Sequence, residues 1–193
     1  MVQDRKVKTR NKLFAAALEL FNAKGIDATS TKEITEAAGV AEGTLYRHFS
    51  SKDELAWKLF EHHYGNIASS LLTARRQSSD FRETVEATVY AFCKLVDIAP
   101  EAFSYCMLSQ HDFLDRVAQD EGNPVVVIQS FIEEAIEKKD IPNGDPELLS
   151  AISLGIVMQP ATFKLYGRLE KTMTDYADHF VDAIWSVLVK RGK

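Results

Sequence analysis

The residues best placed to do chemistry lie between Gly39 and Lys52, in the run Gly-Val-Ala-Glu-Gly-Thr-Leu-Tyr-Arg-His-Phe-Ser-Ser-Lys. Wound as a helix of about two turns, it sets Leu45 and Phe49 on one face, four residues apart, where they bury together. Gly43, Thr44, Tyr46 and Arg47 then fall on the opposite face or its flanks. That face offers bare backbone, a hydroxyl, a phenol and a guanidinium, and no apolar anchor for a core. Such a set suits base edges and phosphates, because a guanidinium pairs bidentately with guanine and hydroxyls bond phosphate oxygens. On this wheel Thr44 and Arg47 face base edges. Gly43 lets a nucleic-acid backbone approach closely, and Tyr46 and His48, on the flanks, meet phosphates. Ala41 has no side chain to cap the helix. Glu42 suits the positive end of a helix dipole but would repel phosphate. The wheel sets it nearer Phe49 than Arg47, off the contact face.

The elements that must position this stretch read as helices throughout, about nine of them, with no alternation bounded by hairpin turns. A first helix over residues 5–24 carries Val7, Phe14, Ala17, Leu18 and Phe21 on one stripe, with Gly25 at its left-handed cap. A second starts at a Ser30-x-x-Glu33 capping box, buries Ile34, Ala37 and Ala38, and ends at Gly39. After the stretch above, Ser51-x-x-Glu54 caps a fourth helix over residues 51–76, running through Leu55, Leu59, His63, Ile67 and Leu71. A long helix followed by two short ones joined by Gly39-Val40 is the pattern of a three-helix helix-turn-helix unit. A fifth helix over residues 81–99 puts Phe81, Val85, Val89, Phe92 and Val96 in register. Pro100 opens a sixth, with Phe103, Met107, Leu108, Leu114 and Val117. Asn123-Pro124 opens a seventh that carries Val125, Ile128, Phe131, Ile132 and Ile136. Asp145-Pro146 opens an eighth, which Pro160 should kink. Thr172-x-x-Asp175 opens a ninth with Ala177, Phe180, Val181, Ile184 and Leu188 on one face.

The segment from Thr29 to Leu55 resembles the signature of the TetR family of bacterial transcription regulators. The matching positions are Thr31, Ile34, Ala38-Gly39-Val40, Gly43, Leu45-Tyr46, Phe49, Lys52 and Leu55. The resemblance implies an all-α protein with a helix-turn-helix DNA-binding domain over residues 1–52. A helical ligand-binding and dimerisation domain follows over residues 53–193, linked by the fourth helix. It implies that Lys52 and Thr31 contact the phosphate backbone, and that the last two long helices pair with their copies in a homodimer. It implies a ligand pocket in the central helices. Polar and polarisable residues there are the candidates: His63, Tyr64, Tyr90, Tyr105, Cys106, Met107, His111, Met158 and Phe163. The function implied is a homodimeric repressor released from a palindromic double-stranded operator by a small hydrophobic or amphipathic effector. An activator, or a regulator without small ligand, is the alternative; a helical-bundle enzyme or sequestering protein fits less well.

Composition sets the outer bounds. A chain of 193 residues with 46% hydrophobic and 26% charged residues has enough apolar material for one or two globular domains. The net charge of −5 is unevenly divided. Residues 1–60 hold ten Lys and Arg against eight Asp and Glu, a balance of +2, and the remainder holds thirteen against twenty, −7. Arg5, Lys6, Lys8, Arg10 and Lys12 face only Asp4, so basic charge collects where a phosphate backbone could be met. Cys93 and Cys106 make no C-x-x-C motif and read as small buried hydrophobes in a reducing cytoplasm. No apolar run reaches a membrane span, because the run from Ala151 to Met158 stops at Gln159 and Pro160, and no secretory signal opens the chain. Histidines 48, 62, 63, 111 and 179 show no metal-ligand spacing. No nucleophile elbow, Walker loop or dinucleotide loop is present, so neither catalytic residue nor cofactor is expected.

Overall fold

The computed structural model describes residues 2–189. The side chains of Val2–Arg5 and Leu114 lie outside the described residues, so Arg5 in the basic arm and Leu114 in the sixth helix take no further part. Among the described residues the fold is all α-helical, with nine α-helices and two short 3₁₀ turns. They gather into two compact units. The first takes everything before Tyr64 together with Glu101–Arg116; the second takes Tyr64–Pro100 and everything from Val117 onward. A division at residue 52 does not anticipate this, because the sixth helix returns to pack with the first four.

In the first unit, α1 (Val2–Lys24), α2 (Thr31–Ala37) and α3 (Glu42–Leu45) form the DNA-binding type of layout. The start of α4 (Lys52–Gln77) and most of α6 (Pro100–Phe113) complete it. Leu13, Phe14, Ala17, Phe21, Ile34, Leu45, Phe49, Leu55 and Leu59 make its core. Phe14 stacks on Phe49 with ring centroids 5.6 Å apart, and α6 brings Tyr105 against Phe21 at 5.9 Å and Phe113 against Phe60 at 5.2 Å. Burying a side chain of the Leu45 or Phe49 type stabilises by about 1.5–3 kcal/mol, which pins the reading stretch from beneath.

Caps explain where these helices stop and start. Gly25 and Gly39 take φ of +83° and +64°, the left-handed turn that ends α1 and α2 without Cβ strain. Ser30 and Glu33 form the reciprocal capping box at α2. At α4 the box is split: Ser51 Oγ accepts from the Glu54 N–H, while the Glu54 carboxylate accepts from the N–H and hydroxyl of Ser50. Three expected core positions are corrected. Val7 is 53% exposed, because the stripe of α1 begins only at Leu13. Ala37 is exposed and Ala38 half-buried, and Thr35 is buried in their place, its hydroxyl bonded to the Thr31 and Lys32 carbonyls.

In the second unit, α5 (Phe81–Ile98), α7 (Pro124–Glu137), α8 (Pro146–Leu165) and α9 (Ala177–Val189) surround a core with the end of α4. Asp80, Asn123 and Asp145 cap α5, α7 and α8, the last two with Pro at the first helical position. The stripes Phe81, Val85, Val89, Phe92 and Val96 on α5, and Ala177, Phe180, Val181, Ile184 and Leu188 on α9, are buried as expected. Thr172 and Asp175 exchange hydrogen bonds ahead of α9, but the chain makes a 3₁₀ turn at Thr174–Tyr176 before it. Val125 and Leu108 are exposed and drop out of the expected cores of α7 and α6. Helix α8 runs unbroken through Pro160. By length and composition it is long and apolar enough to cross a membrane, contrary to the run-length reading, because its apolar residues resume after Gln159 and Pro160. Its buried Ser150 and Ser153 and its packing on α7 and α9 mark it as part of this unit's core.

Candidate nucleic-acid interface and apolar cavity

The reading stretch is shorter than two turns. Helix α3 covers four residues, and beyond it the chain tightens, with Arg47 N–H bonded to the Thr44 carbonyl and His48 N–H to that of Leu45. Local composition explains this: Ala41 gives α3 no side-chain cap, and Gly43 and the β-branched Thr44 are poor helix formers. Phe49 N–H still reaches the Leu45 carbonyl, so Leu45 and Phe49 are buried together as the wheel requires.

The outer face is open. Tyr46 is 54% exposed, Gly43 and Arg47 are exposed, and Thr44 is half-buried. No protein atom lies within 4 Å of where a Cβ on Gly43 would stand, so that space is open. The Arg47 side chain has no hydrogen bond or ion pair among the described residues and presents its whole donor fork. Thr31, at the start of α2, places its hydroxyl 3.5 Å from both the Tyr46 phenol and the Glu42 carboxylate. Glu42 therefore stands among the residues expected to meet DNA and not off the contact face. The helix is too short for the wheel to hold beyond its first turn.

Two further residues take surroundings that the sequence does not announce. His48 is half-buried on Phe49; burial, then Lys6 and Arg10 of α1, hold its pKa below the ordinary value. The basic end of α1 thus lies close enough to act on the reading stretch, which joins the charge run of the sequence to this face. Lys52 turns inward. Its ammonium donates to the backbone carbonyls of Ile26 at 2.7 Å, Thr29 at 2.8 Å and Asp27 at 3.2 Å. An ammonium has three donors, so none is left for a phosphate in this arrangement. Lys52 instead ties the loop between α1 and α2 to the start of α4, and so fixes where Thr31 stands.

The second unit holds an apolar cavity of about 60 Å³ walled by α4, α5, α7, α8 and α9, with Leu71, Val85, Phe92, Ile132, Leu154 and Ile184 among its lining. Its few polar groups are spoken for. Thr84, Thr88 and Ser153 hydroxyls donate to carbonyls one turn back in their own helices. None of the nine candidate pocket residues lines it. His63, Tyr105, Cys106, Met107 and His111 belong to the first unit. There His63 is half-buried, its pKa lowered to about 4 by burial and by His62. Tyr105 donates to the Ala56 carbonyl at 2.8 Å, and His111 is exposed. Cys106, like Cys93 in the second unit, is buried, its thiol pushed up to about 12 by desolvation. Tyr64 donates to Asn123 at 3.3 Å and Tyr90 to Asp178 at 2.8 Å. Phe163 lies under the Arg168 guanidinium, 4.6 Å from its ring centre, and Met158 is half-buried. The residues that do line the cavity are the aliphatic stripe of α5 and its neighbours. The only sequence sign of it is Thr84 and Thr88, two small hydroxyls one turn apart within that stripe.

Comparison with known proteins agrees with this layout. The profile of the bacterial regulatory proteins of the tetR family matches residues 13–59. The HTH-type transcriptional activator FasR of Mycolicibacterium smegmatis is 33% identical over 105 residues, 54% of this chain and 47% of its own, so the match spans about half of that relative. The HTH-type transcriptional repressor KstR2 of Mycobacterium tuberculosis is 27% identical over 142 residues, 68% of this chain and 70% of its own. The solved structure of the regulator FadR from Bacillus subtilis in complex with stearoyl-CoA superposes with a TM-score of 0.74 at 16% identity, covering 91% of this chain and 97% of that one. That likeness concerns the fold. With the helix-turn-helix layout and an open reading face, residues 13–59 are similar to the DNA-binding segment of the bacterial regulatory proteins of the tetR family, and the chain is similar to HTH-type transcription regulators.

Proposed function

We propose that the protein is a homodimeric cytoplasmic repressor that binds a palindromic double-stranded operator and is released by a small hydrophobic or amphipathic effector. The observation that carries the regulatory half is the apolar cavity of the second unit, whose lining offers no free polar group to a polar ligand. The stearoyl-CoA bound to FadR supports a hydrocarbon-bearing effector here. The dimer rests on α8. Leu148 and Ile152 are 56% and 41% exposed, and with Gly155 they form a stripe at helical spacing that a second copy would cover. Arg47 and Thr44 read base edges, Thr31, Tyr46 and His48 hold phosphates, and Gly43 admits the backbone. The sign of regulation has a second reading in activation, which the similarity to FasR favours.

Selection of bound genomic fragments by the full-length protein tests this. The expected site is a palindrome with half-sites roughly 34–36 Å, or a multiple of that, apart. A bound sequence without two-fold symmetry would sink the dimer. Operator affinity unchanged by every ligand that binds the second unit would sink the switch, since a ligand moves an equilibrium only by its differential affinity. Loss of reporter expression on deleting the gene would decide for activation.

A further inference from the structure

Beside the apolar cavity, within the same unit, lies a second cavity of about 250 Å³ with a different lining. Phe81 and Phe131 line both, so the polar space and the apolar one share these two rings as their common border. Its polar wall is an ion cluster. The Arg75 guanidinium donates to Glu134 Oε1 at 2.8 Å, and the Lys138 ammonium donates to that same oxygen. Two cations thus share one carboxylate oxygen, a trio of net +1 in which most guanidinium and ammonium donors are uncommitted. Two more carboxylates line the space. Asp80 is taken up by capping α5, accepting the Glu83 N–H at 2.8 Å, where the positive end of the helix dipole offsets its charge. Asp140 is exposed to water at the rim. The backbone between Lys138 and Asp140 turns through Lys139 at φ +63°, the one non-glycine residue with positive φ among those described. Lys139 is the left-handed residue that closes the C-terminus of α7, where the Asp140 N–H bonds back to the Ala135 carbonyl.

We propose that Arg75 and Lys138 bind the anionic headgroup of an amphiphile whose hydrocarbon chain enters the apolar cavity past Phe81 and Phe131, with Glu134 as the internal anion the headgroup displaces. This rests on the reading of the second unit as an effector site and adds its polarity, orientation and residues. The 60 Å³ apolar void holds about two water volumes, so a chain must push the lining apart. That makes the ligand prefer an opened second unit, the differential binding a switch requires. A carboxylate or a phosphate-bearing thioester would satisfy the same cations, and the test separates them.

Calorimetric titration of the full-length protein at pH 7.5 compares dodecanoate, dodecanoyl-CoA and neutral 1-dodecanol. At least one of the two anions should bind ten-fold or more tighter than the alcohol, and the tighter of the two names the headgroup. In the Arg75→Gln/Lys138→Gln double variant the three affinities should converge on that of the alcohol, with the alcohol itself unchanged. Glu134→Gln should tighten the anion several-fold. Equal affinity for anions and alcohol in the natural protein overturns the headgroup site and leaves the apolar-effector reading standing, as does a preference that survives in the double variant. Silence from all three probes overturns both. The comparison in the natural protein needs no variant, so a double variant that fails to fold does not blunt the test.

Discussion

The first unit sets its polar groups outward on a short, stiffly underpinned segment, whereas the second turns them back on itself around an apolar void. Tyr46 and Arg47 stand in solvent because Leu45 and Phe49, directly beneath, are buried in a core of aromatic rings. Thr84, Thr88 and Ser153 point at a cavity wall yet give their hydrogens to their own helices. The difference fits the two partners proposed for them. A DNA surface brings donors, acceptors and charge, and a protein reads it only with groups left unsatisfied until binding. An apolar chain brings none, and every free polar group facing it would be a desolvation cost. The two sites are therefore found by opposite signs, unpartnered polar residues in one case and over-satisfied ones in the other.

Lys52 gives the largest expected departure from a purely outward-facing reading surface. Lys52→Ala removes three charge-assisted hydrogen bonds that hold the loop before α2, so it should lower stability by about 1.5–3 kcal/mol in denaturant titration. Operator affinity should fall as well, through displacement of Thr31, with the salt slope little changed. A stable variant whose slope drops by about one unit would instead return Lys52 to the phosphate-contacting role its family resemblance implies.

Arg47 should behave in the opposite way. Arg47→Ala leaves stability within about 0.5 kcal/mol, because the side chain is exposed and touches nothing the core needs. It should cost about 1–3 kcal/mol of operator binding and relax base preference at one position per half-site. Equal losses on operator and random DNA would remove it from base readout.

How much was legible follows the same division. The caps at Ser30, Asn123 and Asp145, the turns at Gly25 and Gly39 and the buried stripes of α5 and α9 are local or periodic features, which sequence carries directly. So is the pairing of Leu45 with Phe49. The inward turn of Lys52 is different, because it depends on three carbonyls more than twenty residues away that no spacing rule connects. A wheel misplaces Glu42 because it presumes a helix longer than four residues. The pocket candidates miss the cavity for a physical reason: aromatic and sulfur side chains such as Tyr105 and Cys106 are as useful for packing as for ligands, and here they pack. The return of α6 to the first unit, which makes Tyr105 and Phe113 part of that unit's core, is a tertiary event without a local signature.

His63 shows whether a polar residue midway along α4 belongs to packing. Its folded pKa of about 4 lies below the ordinary 6.5, so between these values the unfolded chain binds a proton the folded one refuses. Stability is then complete above pH 6.5 and declines as pH falls through 6.5 toward 4, by on the order of 2 kcal/mol given partial burial. Thermal melts across that window should flatten in His63→Gln by this amount. An unchanged pH profile would mean that the imidazole is protonated in the folded chain.

The smallest expected effect isolates the reading surface from the fold beneath it. Gly43 lies inside α3 with nothing within 4 Å of a would-be Cβ, so Gly43→Ala meets no clash in the free protein. Alanine is the better helix former, and the substitution should stabilise the protein by about 0.5–1 kcal/mol. If DNA backbone comes as close as the bare glycine permits, the same methyl group must weaken operator binding even as the melting temperature rises. Stability and affinity moving in opposite directions would be the signature of a residue kept for its partner. A Gly43→Ala variant in which both rise would show that the open space over α3 stays open in the complex, and that Arg47 and Thr44 reach the bases from further away.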